Sequence, residues 1–105
     1  MIRIRFYQHN QQLCGCEVSG HAGYAKQGED IVCAGVSTAV QMTANMLTEI
    51  FKIPAEISAD DNCISIRLPD DPSPDGVKVL EGFALQMQLM KEDFSRFIQI
   101  KHTEV

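Results

Sequence analysis

Long apolar runs are missing from this 105-residue chain: no stretch approaches the ~18 consecutive apolar residues that a membrane-spanning helix needs, so no membrane contact is expected. Basic residues are scarce as well. Nine Lys+Arg against fourteen Asp+Glu give a net charge of −5, and no Lys/Arg cluster breaks the excess. Such a surface repels phosphate backbones, so no direct nucleic-acid partner is expected, whereas a basic peptide is tolerated. Cysteines number only four, far too few for a disulfide scaffold. Repeats, low-complexity tracts and linkers are absent. The opening Met1-Ile2-Arg3-Ile4-Arg5-Phe6 alternates apolar and basic residues and lacks the apolar centre of a signal peptide. The expectation is a cytoplasmic protein whose thiols, Cys14, Cys16, Cys33 and Cys63, are reduced.

Hydrophobic residues make up 45% of the chain and charged residues 22%, the proportions of a soluble globular protein. The length suits a single domain spanning residues 1–105 with a core that needs no staples. Residues 2–7 and 13–18 alternate as strands around a polar turn at 8–12, with Cys14, Cys16 and Val18 sharing a face. Residues 19–29 carry Gly20, Gly23 and Gly28 and read as a loop ending at the helix N-cap Asp30. A helix over 31–52 follows, with Val32, Val36, Ala39, Val40, Thr43, Met46, Leu47, Ile50 and Phe51 as its apolar stripe, and Pro54 stops it.

A second hairpin pairs 55–59 with 63–68 across Asp60-Asp61-Asn62. Ser73-Pro74 begins a second helix that runs to about residue 93, with Val77, Leu80, Ala84 and Met87 facing inward. The tail from Phe97 returns to strand alternation. Apart from Met1, the methionines are spaced as helix core. The order β-β-α-β-β-α-β implies a two-layer α+β fold, with a mainly antiparallel sheet and two helices on one face.

His21 and Cys33 are the residues with chemistry to offer. The eleven residues between them include two glycines and can close as a compact loop, so imidazole and thiol are able to meet. With Asp30 as N-cap, Cys33 is the third helical residue, among unpaired N–H groups and partial positive charge. A thiol of pKa about 8.5 is only about 3% thiolate at neutral pH, and a helix end contributes about 0.3–1 kcal/mol. A protonated histidine beside the sulfur has the larger effect, so activation of Cys33 requires His21. The N–H groups of Val32, Cys33 or Ala34 are placed to hold an oxyanion, unless the Asp30 carboxylate occupies one of them.

The segments Ser19-Gly20-His21-Ala22-Gly23-Tyr24-Ala25 and Gly28-Glu29-Asp30-Ile31-Val32-Cys33-Ala34-Gly35-Val36-Ser37 closely resemble the signature of the ribosomal-processing cysteine proteases (Prp). The resemblance implies a thiol protease that removes a short N-terminal extension from a large-subunit ribosomal protein precursor, cutting after paired phenylalanines. It assigns the catalytic dyad to Cys33 and His21, and supporting roles to Asp30 and Ser37. It also implies a homodimer and a loop that covers the substrate peptide. Gly20 and Tyr24 are candidates to line the substrate site. No cofactor or metal is implied. Ser37 lies one helical turn beyond Cys33, suited to substrate binding or to a bond with its own helix backbone. Gly35 stands where the pattern usually has alanine.

Two other readings compete. Cys14, Cys16, His21 and Cys33 have the donor types of a zinc site, although Cys-Gly-Cys spacing is short for one. A non-catalytic ribosome-assembly module would use a sheet edge or a dimer surface and leave Cys33 inert. His9 and His102, in a turn and the tail, are expected at the surface with no role.

Overall fold

The computed structural model describes residues 1–20 and 29–105, with the backbone alone for residues 29 and 30. Strand β1 (Ile2–His9) and strand β2 (Gln12–Ser19) form a hairpin, and helix α1 (Glu29–Asn45) runs on into a π-helical turn, Met46–Ile50. Strands β3 (Glu56–Ala59) and β4 (Cys63–Arg67) make the second hairpin, followed by helix α2 (Pro74–Asp93) and strand β5 (Ile98–Glu104). The element order is the expected one. The sheet runs β3-β4-β2-β1-β5, antiparallel except for the β1–β5 pair.

Alternation decides which face is covered. Ile2, Ile4 and Phe6 of β1, Cys16 of β2, Ile66 of β4 and Ile98 of β5 are buried and form one core with the helices, while Arg3, Arg5, Gln99 and Lys101 point to solvent. From α1 come Val32, Val36 and Val40, and from the π-helical turn that follows comes Leu47, at spacings of four and seven. From α2 come Val77, Leu80, Phe83 and Met87, with Ala84 half-buried against them as expected and Phe83 an addition to the expected set. Phe83 meets Phe6 at 5.7 Å between ring centroids, tilted by 58°, a favourable aromatic geometry. Thr43 is buried with its hydroxyl satisfied, donating to the carbonyl of Ala39 at 2.8 Å. The segment Ile31–Ile50 has mean hydropathy 1.2, enough to suit a membrane by length and composition. Here Val32, Val36, Val40, Thr43 and Leu47 are buried, whereas Ile50 and Phe51, expected in the same stripe, are exposed.

Helix ends follow local chemistry. Ser73 caps α2, its Oγ accepting from the Gly76 N–H at 3.2 Å, with Pro74 first in the helix and Lys91 in the last turn. The helix expected to continue to residue 52 instead widens: Phe51 N–H donates to Met46 O, five residues back, at 2.9 Å, and Lys52 takes φ 54°. The methionines divide. Met87 is buried, whereas Met42 is 64% exposed and Met46 and Met90 are half-buried.

Candidate active site

Three of the residues singled out from the sequence converge. Gly20, Cys33 and Ser37 line one cleft of about 300 Å³ at the end of the sheet where β2 stops and β4 starts. Val18 and Ile64 form its floor, and the turn joining β3 to β4 forms a wall. Cys33 is half-buried on α1, and Ser37, one turn further along, is exposed. Ser37 Oγ accepts a bond from Gln41 Nε2 at 3.0 Å, a partner the sequence reading did not consider. His21 and Tyr24 lie outside the described residues, as does the side chain of Asp30.

The start of α1 corrects one expectation. Helical backbone begins at Glu29, so Asp30 is inside the helix and not at its cap, and Cys33 is the fifth helical residue. In an α-helix beginning there, the unpaired N–H donors belong to Glu29, Asp30 and Ile31, while those of Val32, Cys33 and Ala34 enter the i→i−4 ladder. The oxyanion donors expected from residues 32–34 are therefore displaced by one turn.

The sequence reading missed the cleft wall. Asp60, Asp61, Asn62 and Cys63, read only as a turn and a strand start, line the cleft with Cys33. The turn is built by its own side chain: Asn62 N–H donates to Asp60 Oδ1 at 3.2 Å, and Asp60 N–H donates to the Cys63 carbonyl at 2.9 Å. The Asp-Asp-Asn run was the available signal, but register alone decides that this turn meets the start of α1. Burial pushes the Cys63 thiol up, and the negative charges of Glu17 and Asp60 push it the same way. Cys14 is also raised by burial; the nearby Arg67 partly offsets this, and Glu104 adds to it.

Among the described residues, Cys14, Cys16 and Cys33 do not come together as a metal site. Opposite Tyr7 and Gln8 the register slips, so that Gly15 pairs with Tyr7 and Leu13 with Gln8. Cys14 is the extra residue of a β-bulge, which breaks the shared face expected for Cys14, Cys16 and Val18. Cys14 lies four residues from Val18, roughly 13 Å along the strand, whereas zinc holds each thiolate about 2.3 Å away. Cys16 is buried in the core, its thiol pushed up to about 12 by burial, so it resists the deprotonation a metal requires. His9 and His102 are exposed as expected. His9 Nδ1 lies 2.8 Å from the Val105 carbonyl, and the His102 ring stacks on Phe6 at 5.3 Å.

A larger groove of about 960 Å³ runs between the helices, lined by Met42, Met46, Phe83 and Met90 among others. Among the described residues it is lined by neither a thiol nor an imidazole, whereas the smaller cleft is lined by Cys33 and Cys63.

A two-layer α+β domain that presents one half-buried thiol near a helix start, open to a cleft at the sheet's end, has the design of an enzyme working through a cysteine nucleophile. The family model described as Cysteine protease Prp matches residues 1–99, so the chain belongs to that family and is a cysteine protease. The ribosomal processing cysteine protease Prp of Bacillus subtilis (strain 168) is 24% identical over 98 residues, 88% of each chain. That of Staphylococcus aureus (strain Mu50) is 26% identical over 87 residues, covering 81% of this chain and 82% of the relative. The crystal structure of SMU.848 from Streptococcus mutans superposes with a TM-score of 0.89 at 26% identity, over 100% of this chain and 96% of the other. The S. aureus Prp structure in complex with a substrate peptide shares the fold, with a TM-score of 0.90 at 22% identity over 98% and 100% of the two chains. Membership of a protease family sets aside the reading of the chain as a non-catalytic module.

Proposed function

We propose that the protein is a cytoplasmic, homodimeric endopeptidase that removes the N-terminal extension of a large-subunit ribosomal protein precursor, cutting after paired phenylalanines. The observation that carries the reading is the cleft itself: Gly20, to which His21 is bonded, lines it together with Cys33 and Ser37. Curated relatives named as ribosomal processing proteases supply the substrate class.

In this mechanism His21 takes the Cys33 thiol proton and the thiolate attacks the scissile carbonyl carbon. The tetrahedral oxyanion collapses as the C–N bond breaks, and His21 returns the proton to the leaving amine. The acyl group stays on Cys33 as a thioester. His21 then draws a proton from water, the hydroxide attacks the thioester, and the thiol is restored as the peptide acid leaves. Asp30 and Ser37 support the dyad or the peptide, Tyr24 borders the aromatic side chains, and no cofactor takes part.

The test is cleavage of a peptide with two phenylalanines before alanine. Wild type cuts after the second phenylalanine, Cys33→Ala and His21→Ala do not, and mass spectrometry of the quenched reaction finds the acyl adduct on Cys33. Cleavage that survives in Cys33→Ala overturns the reading. Full turnover in Asp30→Ala or Ser37→Ala removes the supporting role of that residue.

A further inference from the structure

Among the described residues, the sheet order leaves β3 at one margin, paired on one side only. Its four residues are all exposed, including Ile57 at 39%, a large apolar side chain on an open edge. The hydrogen-bond phase of this edge follows from the turn. Asp60 N–H donates to the Cys63 carbonyl, so 60 and 63 are a hydrogen-bonded pair, and the register Ser58↔Ser65 and Glu56↔Arg67 continues it at every second residue. The intervening residues, Ile57 and Ala59, therefore turn their N–H and C=O groups away from β4, toward the vacant side. Their side chains share the face of their partners Ile66 and Ile64, which belong to or pack against the core. Ala59 also lines the cleft that holds Cys33.

Acidic charge gathers at the turn end of this margin, while Glu56 at the other end faces Arg67 across the ladder. Glu56, Asp60 and Asp61 are exposed on β3 and its turn, and no Lys or Arg lines the cleft among the described residues. The salt bridge found among them, Arg67–Asp70, involves none of the three.

We infer that the substrate docks as a sixth strand on the open edge of β3, in extended conformation, pairing with the main chain of Ile57 and Ala59, and that it carries basic residues beside the acidic turn. The inference rests on the cleavage reading above and specifies how the peptide reaches the same cleft. An added strand gains main-chain hydrogen bonds that are indifferent to side chains and leaves every second side chain facing the apolar side of Ile57 and Ala59. Its path along the edge runs directly into the Cys33 cleft, because Ala59 belongs to both. The carboxylates of Asp60 and Asp61 favour a cationic flank and disfavour an acidic one.

The inference is tested with a series of cleavable peptides, each N-methylated at one backbone position, using the wild-type enzyme. Strand pairing predicts alternation: kcat/KM falls at least tenfold at every second position and little at those between. A second measurement uses Ala59→Pro. The Ala59 N–H is outside the β4 ladder, so proline is tolerated at this edge but removes a docking donor. The expected result is an unchanged melting temperature, an unchanged rate of Cys33 alkylation and a tenfold or greater loss in kcat/KM. A third compares peptides differing only in a flanking Lys or Glu. Wild type prefers Lys, and the preference narrows in the double variant Asp60→Asn, Asp61→Asn. Cys33-dependent cleavage that shows no alternation in the methylation series overturns strand docking and leaves the protease mechanism standing. Cleavage independent of Cys33 overturns the mechanism itself. If Ala59→Pro fails to fold, the methylation series on wild type still decides.

Discussion

The main-chain N–H of Gly20 donates to the carbonyl oxygen of Asn62 at 3.2 Å, tying the end of β2 to the tip of the β3–β4 turn. This bond closes one side of the Cys33 cleft and sets the point from which the chain departs toward His21. Gly20 holds φ 80°, and a Cβ built there would lie 2.5 Å from the Met1 carbonyl oxygen. That oxygen is backbone, and the following residue is pinned by Ile2 N–H donating to Phe97 O at 2.8 Å.

Gly20→Ala is therefore expected to cost both conformational strain and a steric clash. Left-handed backbone alone costs an L-residue about 1–2 kcal/mol. With the clash added, a loss near about 2 kcal/mol lowers the melting temperature by roughly 8–16 °C in a domain of this size. Peptide cleavage below that temperature also falls, because the cleft wall moves with the residue. Thermal unfolding together with kcat/KM at 15 °C checks both effects, and a variant that matches wild type in both would show that the Met1 contact yields freely.

The departure from the family pattern at position 35 gives a prediction of opposite sign. Glycine inside a helix costs about 1 kcal/mol relative to alanine. A Cβ at Gly35 would meet the Met90 Cε at 3.0 Å, too close, but that atom is the end of a flexible side chain beside a groove of about 960 Å³. Met90 has room to withdraw, so the helix gain outweighs the contact. Gly35→Ala should be more stable than wild type by about 0.5 kcal/mol. The check is the midpoint of urea unfolding at unchanged m-value; a lower midpoint would mean that Met90 is locked against α1.

An exposed apolar face accompanies the proposed dimer. Met42 on α1 is 64% exposed and Leu85 on α2 is 62% exposed, with Leu89 close behind at 45%. Aliphatic side chains this open, on two adjacent helices, fit burial by a second copy. Met42→Asp combined with Leu85→Glu should sediment as a monomer at concentrations where wild type is a dimer. The variant's melting transition should lose its dependence on protein concentration. Sedimentation of the double variant as a dimer would place the contact elsewhere.

How much of this was legible in the residues varies with the range of the interaction responsible. The element order and the capped start of α2 follow from periodicity and from Ser73-Pro74, both local signals. That Cys33 and Ser37 would share one cleft was readable because one helical turn separates them. The bulge at Cys14 was not, because it is defined by pairing against Tyr7 and Gln8 and leaves no mark in β2 alone. Phe83 joins Ala84 on the inner side because its aromatic ring reaches Phe6, a contact across 77 positions of sequence. The acidic wall of the cleft depended on strand order. Asp60 and Asp61 are equally turn-like wherever β3 and β4 sit, and only their place beside β2 brings them to Cys33.

The thiols separate by burial, and alkaline stability reads that separation. Burial raises Cys16 from 9.0 to about 12. Between these values the unfolded chain releases the thiol proton while the folded protein retains it, so the unfolded state binds fewer protons and stability falls as pH rises. Below pH 9 both states hold the proton and the full stability is present. A displacement of this size corresponds to at most about 4 kcal/mol, spread over the interval from pH 9 to 12. Cys14 and Cys63 shift in the same direction but are only partly buried, and they remain in both proteins being compared. Cys16→Ala removes the one deeply buried thiol. Its unfolding free energy should start lower, from the lost side-chain volume, yet decline less steeply than that of wild type above pH 9. Urea titrations at half-unit steps from pH 7 to 11 measure the two slopes, and parallel slopes would mean that the Cys16 proton is as readily lost folded as unfolded.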